Sequence, residues 1–103
     1  MKKFTFTYNM PTGGTYRIQY RRVGVIAGPY KMKVLQRPQC PFPLGVSAHL
    51  LAGDHICVAA GREPRTIEQA KAIAFHWMTG FEAYRRSGSF PNGRARFDVK
   101  EVH

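Results

Sequence analysis

The chain has 103 residues, 44% of them apolar and 13% aromatic, with 16 Lys and Arg against six Asp and Glu for a formal charge of +10. This length fits one domain spanning 1–103, and the apolar content excludes intrinsic disorder. No apolar run approaches the ~20 residues that cross a bilayer, so no membrane partner is expected; the positive field attracts nucleic acid, anionic surfaces and acidic proteins alike.

Residues 3 to 9 alternate, with Phe4, Phe6 and Tyr8 on one side and Lys3, Thr5 and Thr7 on the other. Period two predicts a half-buried strand. The same alternation breaks the continuous apolar stretch a secretory signal needs, so a cytoplasmic protein is expected. Pro11-Thr12-Gly13-Gly14 is a turn. From Thr15, Tyr16, Ile18 and Tyr20 point inward while Arg17, Gln19 and Arg21 point outward. The phase slips at Arg21-Arg22 before Val23 and Val25, which predicts a bulge or a bend there. After an Ala27-Gly28-Pro29 turn, Tyr30, Met32 and Val34 alternate with Lys31 and Lys33. Three strands joined by short turns form an antiparallel meander.

Residues 37 to 46 contain Pro38, Pro41 and Pro43, which exclude helix and interior strand and leave a stiff extended crossover. Short strands are predicted at Ser47 to Leu51 and His55 to Ala59, with Ala52-Gly53-Asp54 turning between them. A long helix follows, from about Ile67 to Arg86. Thr66 is its N-cap, and Gln69 completes a capping box. Ile67, Ala70, Ile73, Ala74, Trp77, Phe81 and Tyr84 recur at spacings of three and four, one apolar stripe, with Glu68, Lys71 and Glu82 off it. Arg85 and Arg86 suit the negative end of the helix dipole, and Gly88 caps it. Arg96 to Val99 is read as a last short strand. The expected fold is α+β: an antiparallel β-meander sheet packed against one long amphipathic helix. Lys3, Arg17, Arg21, Lys31 and Lys33 share the strand phase opposite the aromatics, so they form one basic sheet face if the strands pair in sequence.

Two cysteines, Cys40 and Cys57, are too few for a disulfide framework, and His49, His55, His76 and His103 lack paired metal-ligand spacing with them. No metal or cofactor is expected. Within His55-Ile56-Cys57-Val58, Ile56 and Val58 share one side, so Cys57 faces outward with His55. Arg62, Arg65 and the helix N-terminus follow closely, where positive charge favours a thiolate. Cys57 has two readings, a nucleophilic or acyl-carrying thiol and a buried small hydrophobe. His49 and His55 are the candidate bases or polarising groups beside it, each with a purely structural alternative.

The stretch His49-Leu50-Leu51-Ala52-Gly53-Asp54-His55-Ile56-Cys57-Val58 resembles the active-site segment of the prokaryotic relatives of ubiquitin-conjugating (E2) enzymes. The resemblance continues through a loop, a Thr66-initiated helix with central Trp77, and Ser87-Gly88-Ser89-Phe90-Pro91. It covers roughly residues 15 to 91 and implies a truncated E2-like (UBC-like) architecture. By this resemblance Cys57 would be the thioester cysteine, with His49 the histidine that opens the motif. The implied partners are an E1-like activating enzyme and a ubiquitin-like protein, whose C-terminal glycine passes to Cys57 and then to an amine. Eukaryotic relatives follow the histidine with Pro-Asn; here Leu50 and Leu51 follow, so no Asn is supplied for the oxyanion.

Two other function classes compete. One is a nucleic-acid-binding module using Lys3, Arg17, Arg21, Lys31 and Lys33, although the aromatics that would stack on single-stranded bases fall on the other strand phase. The other is a homo-oligomeric interaction domain without chemistry, since a single helix across a sheet often completes its core by dimerising.

Overall fold

The computed structural model describes residues 3–24 and 28–91. The meander forms as its alternation predicts: β1 (Lys3–Asn9), β2 (Thr15–Arg22) and β3 (Tyr30–Gln36) pair antiparallel. The turn at Pro11–Gly14 is closed by Gly13 N–H to Met10 O at 2.8 Å and Met10 N–H to Gly14 O at 2.8 Å. Beyond the proline crossover lie a short 3-10 turn (Gly45–Ala48), β4 (Leu50–Leu51), a second 3-10 turn (Ala52–Asp54) and β5 (His55–Ile56). The five-stranded antiparallel sheet has the order β1-β2-β3-β5-β4, and α1 (Ile67–Ser87) packs on one face. The fold is therefore α+β, one sheet and one long helix. Among the described residues no helix is long and apolar enough to cross a membrane. The expected strand at Arg96 to Val99 and residue Val25 lie outside the described residues.

The core is the interface between α1 and strands β2 and β3. Tyr16, Ile18 and Tyr20 are fully buried, and Met32 and Val34 join them beneath Ala70, Ala74, Trp77, Met78 and Phe81. Trp77 stacks on Phe81 at 4.8 Å between ring centroids, and Tyr16 meets Trp77 edge-on at 5.9 Å. Two polar tips secure the layers. Trp77 Nε1 donates to the Ala48 carbonyl at 2.9 Å, and the Tyr84 hydroxyl donates to the Pro43 carbonyl. Both bonds tie the crossover region to the helix, and they satisfy polar groups that burial would otherwise penalise.

The helix ends follow the sequence with one refinement. Gln69 N–H donates to Thr66 Oγ1 at 3.1 Å, but the Gln69 side chain reaches one residue further back than a capping box, to Arg65 N–H at 2.8 Å. Gly88 adopts φ 80°, the left-handed region open to glycine, and donates to the Tyr84 carbonyl at 2.7 Å.

Four expectations change. The register shift sits opposite Arg17 and Ile18, which pair with Gln36 and Val34, so the bulged residue is Leu35; Arg21 and Arg22 pair in register with Lys31 and Tyr30, and the chain bends just beyond them, at Gly24. Pairing ends soon after Leu35, where Pro38 lacks an N–H. The strands at 47–51 and 55–59 shorten to two residues each, because Gly45–Ala48 winds into a 3-10 turn and His49 turns left-handed. Phe4 and Phe6 stay 38% and 36% exposed because β1 is the outer strand while α1 lies across β2 and β3. Lys71 supplies partial cover, with Nζ 4.2 Å from the Phe6 ring centroid.

The fourth change is Glu82, which lies off the apolar stripe yet is only 3% exposed. Its carboxylate accepts from the Thr12 hydroxyl at 2.7 Å, from the buried Tyr16 hydroxyl, and from Arg85 through two bonds of 3.1 Å. Burial alone would raise the Glu82 pKa. Hydrogen bonds from Arg85, Tyr16 and Thr12 outweigh it and hold the carboxyl below its ordinary value. The Tyr16 hydroxyl is pushed up, first by burial and then by its bond to Glu82.

Candidate functional site

The chain places Cys57 immediately after β5, past the point where strand alternation governs side-chain direction. The thiol-bearing residue is exposed, and its N–H donates to the His49 carbonyl at 3.0 Å. This bond continues the β4–β5 pairing by one step and sets Cys57 beside His49. His49 itself has φ 56° and ψ 41°, a left-handed conformation that costs a non-glycine residue on the order of 1 kcal/mol. The surroundings fix it there: its N–H donates to the Val46 carbonyl at 2.9 Å, and its ring lies on Phe90 with centroids 4.4 Å apart.

Cys57 and His49 line one groove of about 180 Å³ between the end of the sheet and α1. Ile56, Ile73 and Trp77 form its apolar floor, Phe90 and Pro91 one wall, and His76, Thr79 and Gly80 the helix side. Gly80 is needed for this shape, since a Cβ there would come within 2.5 Å of the Phe90 ring. Thr79 Oγ1 donates to the Phe75 carbonyl at 3.0 Å. His76 belongs to the groove because residues 73, 76, 77 and 80 share a helix face at spacings of three and four. Burial lowers its pKa below the ordinary histidine value, which favours the uncharged imidazole. The groove thus combines a thiol with imidazoles from two different elements, the groups a nucleophilic acyl transfer uses.

His55 is placed elsewhere. It pairs with Lys33 on one side and Leu51 on the other, its Nδ1 lies 3.1 Å from the Ala52 carbonyl, and it does not line the groove. Arg62 and Arg65 do not line the groove either, and the groove lies against the middle of α1 instead of its N-terminus. The titratable side chains of the groove lining, besides the thiol, are the imidazoles of His49 and His76. Cys40, the other free thiol, is half-buried and packs against the core.

The opposite face of the sheet is basic, as the strand phase predicts. Register aligns Lys3, Arg21 and Lys31 in one row across β1, β2 and β3, and Thr5, Gln19, Lys33 and His55 in the next. Arg17 follows beside Thr7. Two features escape the sequence reading: His76 in the groove, whose helical spacing to Ile73 and Gly80 is the available signal, and the buried Glu82 of the core, for which periodicity gives none. Compared with known proteins, the chain matches no family model, no curated protein and no solved structure.

Proposed function

We propose that the protein is a small E2-like carrier that holds a ubiquitin-like modifier as a thioester on Cys57 and passes it to an amine. The observation that supports this reading most is convergence. His49, Cys57, Trp77 and Phe90-Pro91 are among the residues that carry the resemblance, they span more than 40 positions of sequence, and these five line one groove.

In the proposed cycle an E1-like enzyme presents the modifier as its own thioester. The Cys57 thiol gives its proton to a groove imidazole, its sulfur attacks the carbonyl carbon, the new C–S bond forms, the C–S bond to E1 breaks, and the leaving E1 thiolate takes up that proton. An acceptor amine then attacks the same carbon, a C–N bond forms, and Cys57 leaves as thiolate. The ammonium proton passes to an imidazole of the groove, His49 or His76, and then to water. His55 takes no part, because it faces the basic side of the sheet. The test combines the protein with an E1-like enzyme, a ubiquitin-like protein and ATP drawn from the same genome. A reductant-sensitive adduct absent from Cys57→Ala supports the reading, and its absence with cognate partners overturns it.

A second reading, self-association without chemistry, is favoured by β1, an outer strand that leaves Phe4 and Phe6 exposed. Light scattering of the wild type and of Phe4→Thr with Phe6→Thr separates the two. A concentration-dependent dimer lost in the variant, with no adduct formed, would select it.

A further inference from the structure

We infer that the sheet face opposite α1 binds the phosphate backbone of a nucleic acid duplex, at a surface separate from the Cys57 groove. Lys3, Arg17 and Lys31 are exposed on this face, and Arg21 and Lys33 are half-buried beside them. Among the described residues, strands β1, β2, β3 and β5 contain no Asp or Glu, so these strands themselves add no negative charge to the face. The described acids lie elsewhere: Asp54 in a turn, Glu63 before the helix, Glu68 and Glu82 on α1.

The arrangement suits a polyanion. Adjacent strands are about 4.8 Å apart, so the row Lys3–Arg21–Lys31 spans about 10 Å, and Arg17 to Arg21 covers about 13 Å along β2. A duplex carries one charge per ~1.7 Å of axis, so 13 Å presents about eight phosphates, enough to engage all five side chains. Thr5, Thr7 and Gln19 stand between the cations and can hydrogen-bond phosphate oxygens. Single-strand binding by stacking is disfavoured, because Phe4, Phe6 and Tyr8 project from β1 on the helix side. An acidic protein would instead bury the exposed Leu35, at the bulge opposite Arg17, and the exposed Leu51, paired with His55.

The experiment measures duplex DNA affinity across a salt series. Engagement of all five cations gives a slope of log K against log salt of about −4.5. Lys31→Gln with Lys33→Gln lowers affinity tenfold or more at moderate salt and reduces the slope by about 2, uniformly across sequences. Arg62→Gln with Lys71→Gln removes the same net charge off this face and leaves the slope within about 0.5 of wild type. Equal loss in both pairs overturns the assignment to the face, as does absence of duplex binding at low salt. Stronger competition by polyglutamate than by duplex, with Leu51→Ala weakening that competition, overturns it in favour of an acidic protein. Cys57→Ser leaves duplex affinity unchanged, so this test stands or falls apart from the thioester reading.

Discussion

Replacing Glu82 by Leu tests whether its buried carboxylate holds the β1–β2 turn on the helix. The substitution removes the acceptor of the Tyr16 hydroxyl, of Thr12 Oγ1 and of two Arg85 bonds. Tyr16 is fully buried, so its hydroxyl is left without a partner, at a cost of about 1–3 kcal/mol. Arg85 is a quarter exposed and recovers solvation, so its loss is discounted to about 1 kcal/mol. Thr12 adds less, because it can turn to water. The sum is about 3 kcal/mol, which for a domain of this size lowers Tm by roughly 12–24 °C. Glu82→Gln keeps the shape and the acceptor oxygen and costs about half as much. Thermal unfolding followed by circular dichroism measures both.

The same residue sets a pH dependence. Its folded pKa is depressed below that of the unfolded chain, so its stabilisation is present above about pH 4.3 and is lost as pH falls through the folded pKa. In Glu82→Gln this part of the acid limb disappears. A Glu82→Leu protein within 1 kcal/mol of wild type, or an unchanged acid limb in Glu82→Gln, would refute the reasoning.

Thr66→Ala removes the helix N-cap, with an expected loss of about 1 kcal/mol in denaturant unfolding and no change in the m-value. His76 has its pKa lowered by burial, so its ring should titrate in NMR below its ordinary value of 6.5. Because the unfolded chain takes up that proton first, stability falls as pH drops below about 6.5, and His76→Gln flattens that fall. A His76 midpoint above 6.5 would contradict the burial argument.

The meander and the helix were legible in sequence because each obeys a local period: two for Tyr16, Ile18 and Tyr20, three and four for the residues from Ile67 to Tyr84. What the period does not encode is where the helix crosses the sheet. Phe4 and Phe6 carry the same alternation as Tyr16 and Ile18, yet α1 lies over β2 and β3 and leaves β1 half-covered. Glu82 was unreadable for a related reason. Its partner Tyr16 is 66 residues away, and only the tertiary fold brings the two together.

The groove divides the same way. His49 and Cys57 were singled out from the chain, and the short β4–β5 hairpin makes them neighbours. His55 was grouped with Cys57 by strand phase, but the strand ends at Ile56 and the alternation ends with it. His76 and the contact of Phe90 with His49 depend on the helix passing beside the hairpin, which no local pattern states.

The most direct measurement is the intact mass of the protein after incubation with an E1-like enzyme, a ubiquitin-like protein and ATP, followed by mapping of the modified residue. The account predicts one modifier added with loss of water, attached at Cys57, released by thiol reductant, retained in Cys40→Ser and absent in Cys57→Ala. An unmodified mass with cognate partners, or a modifier mapped to Cys40 or to a lysine with Cys57 left free, would contradict it.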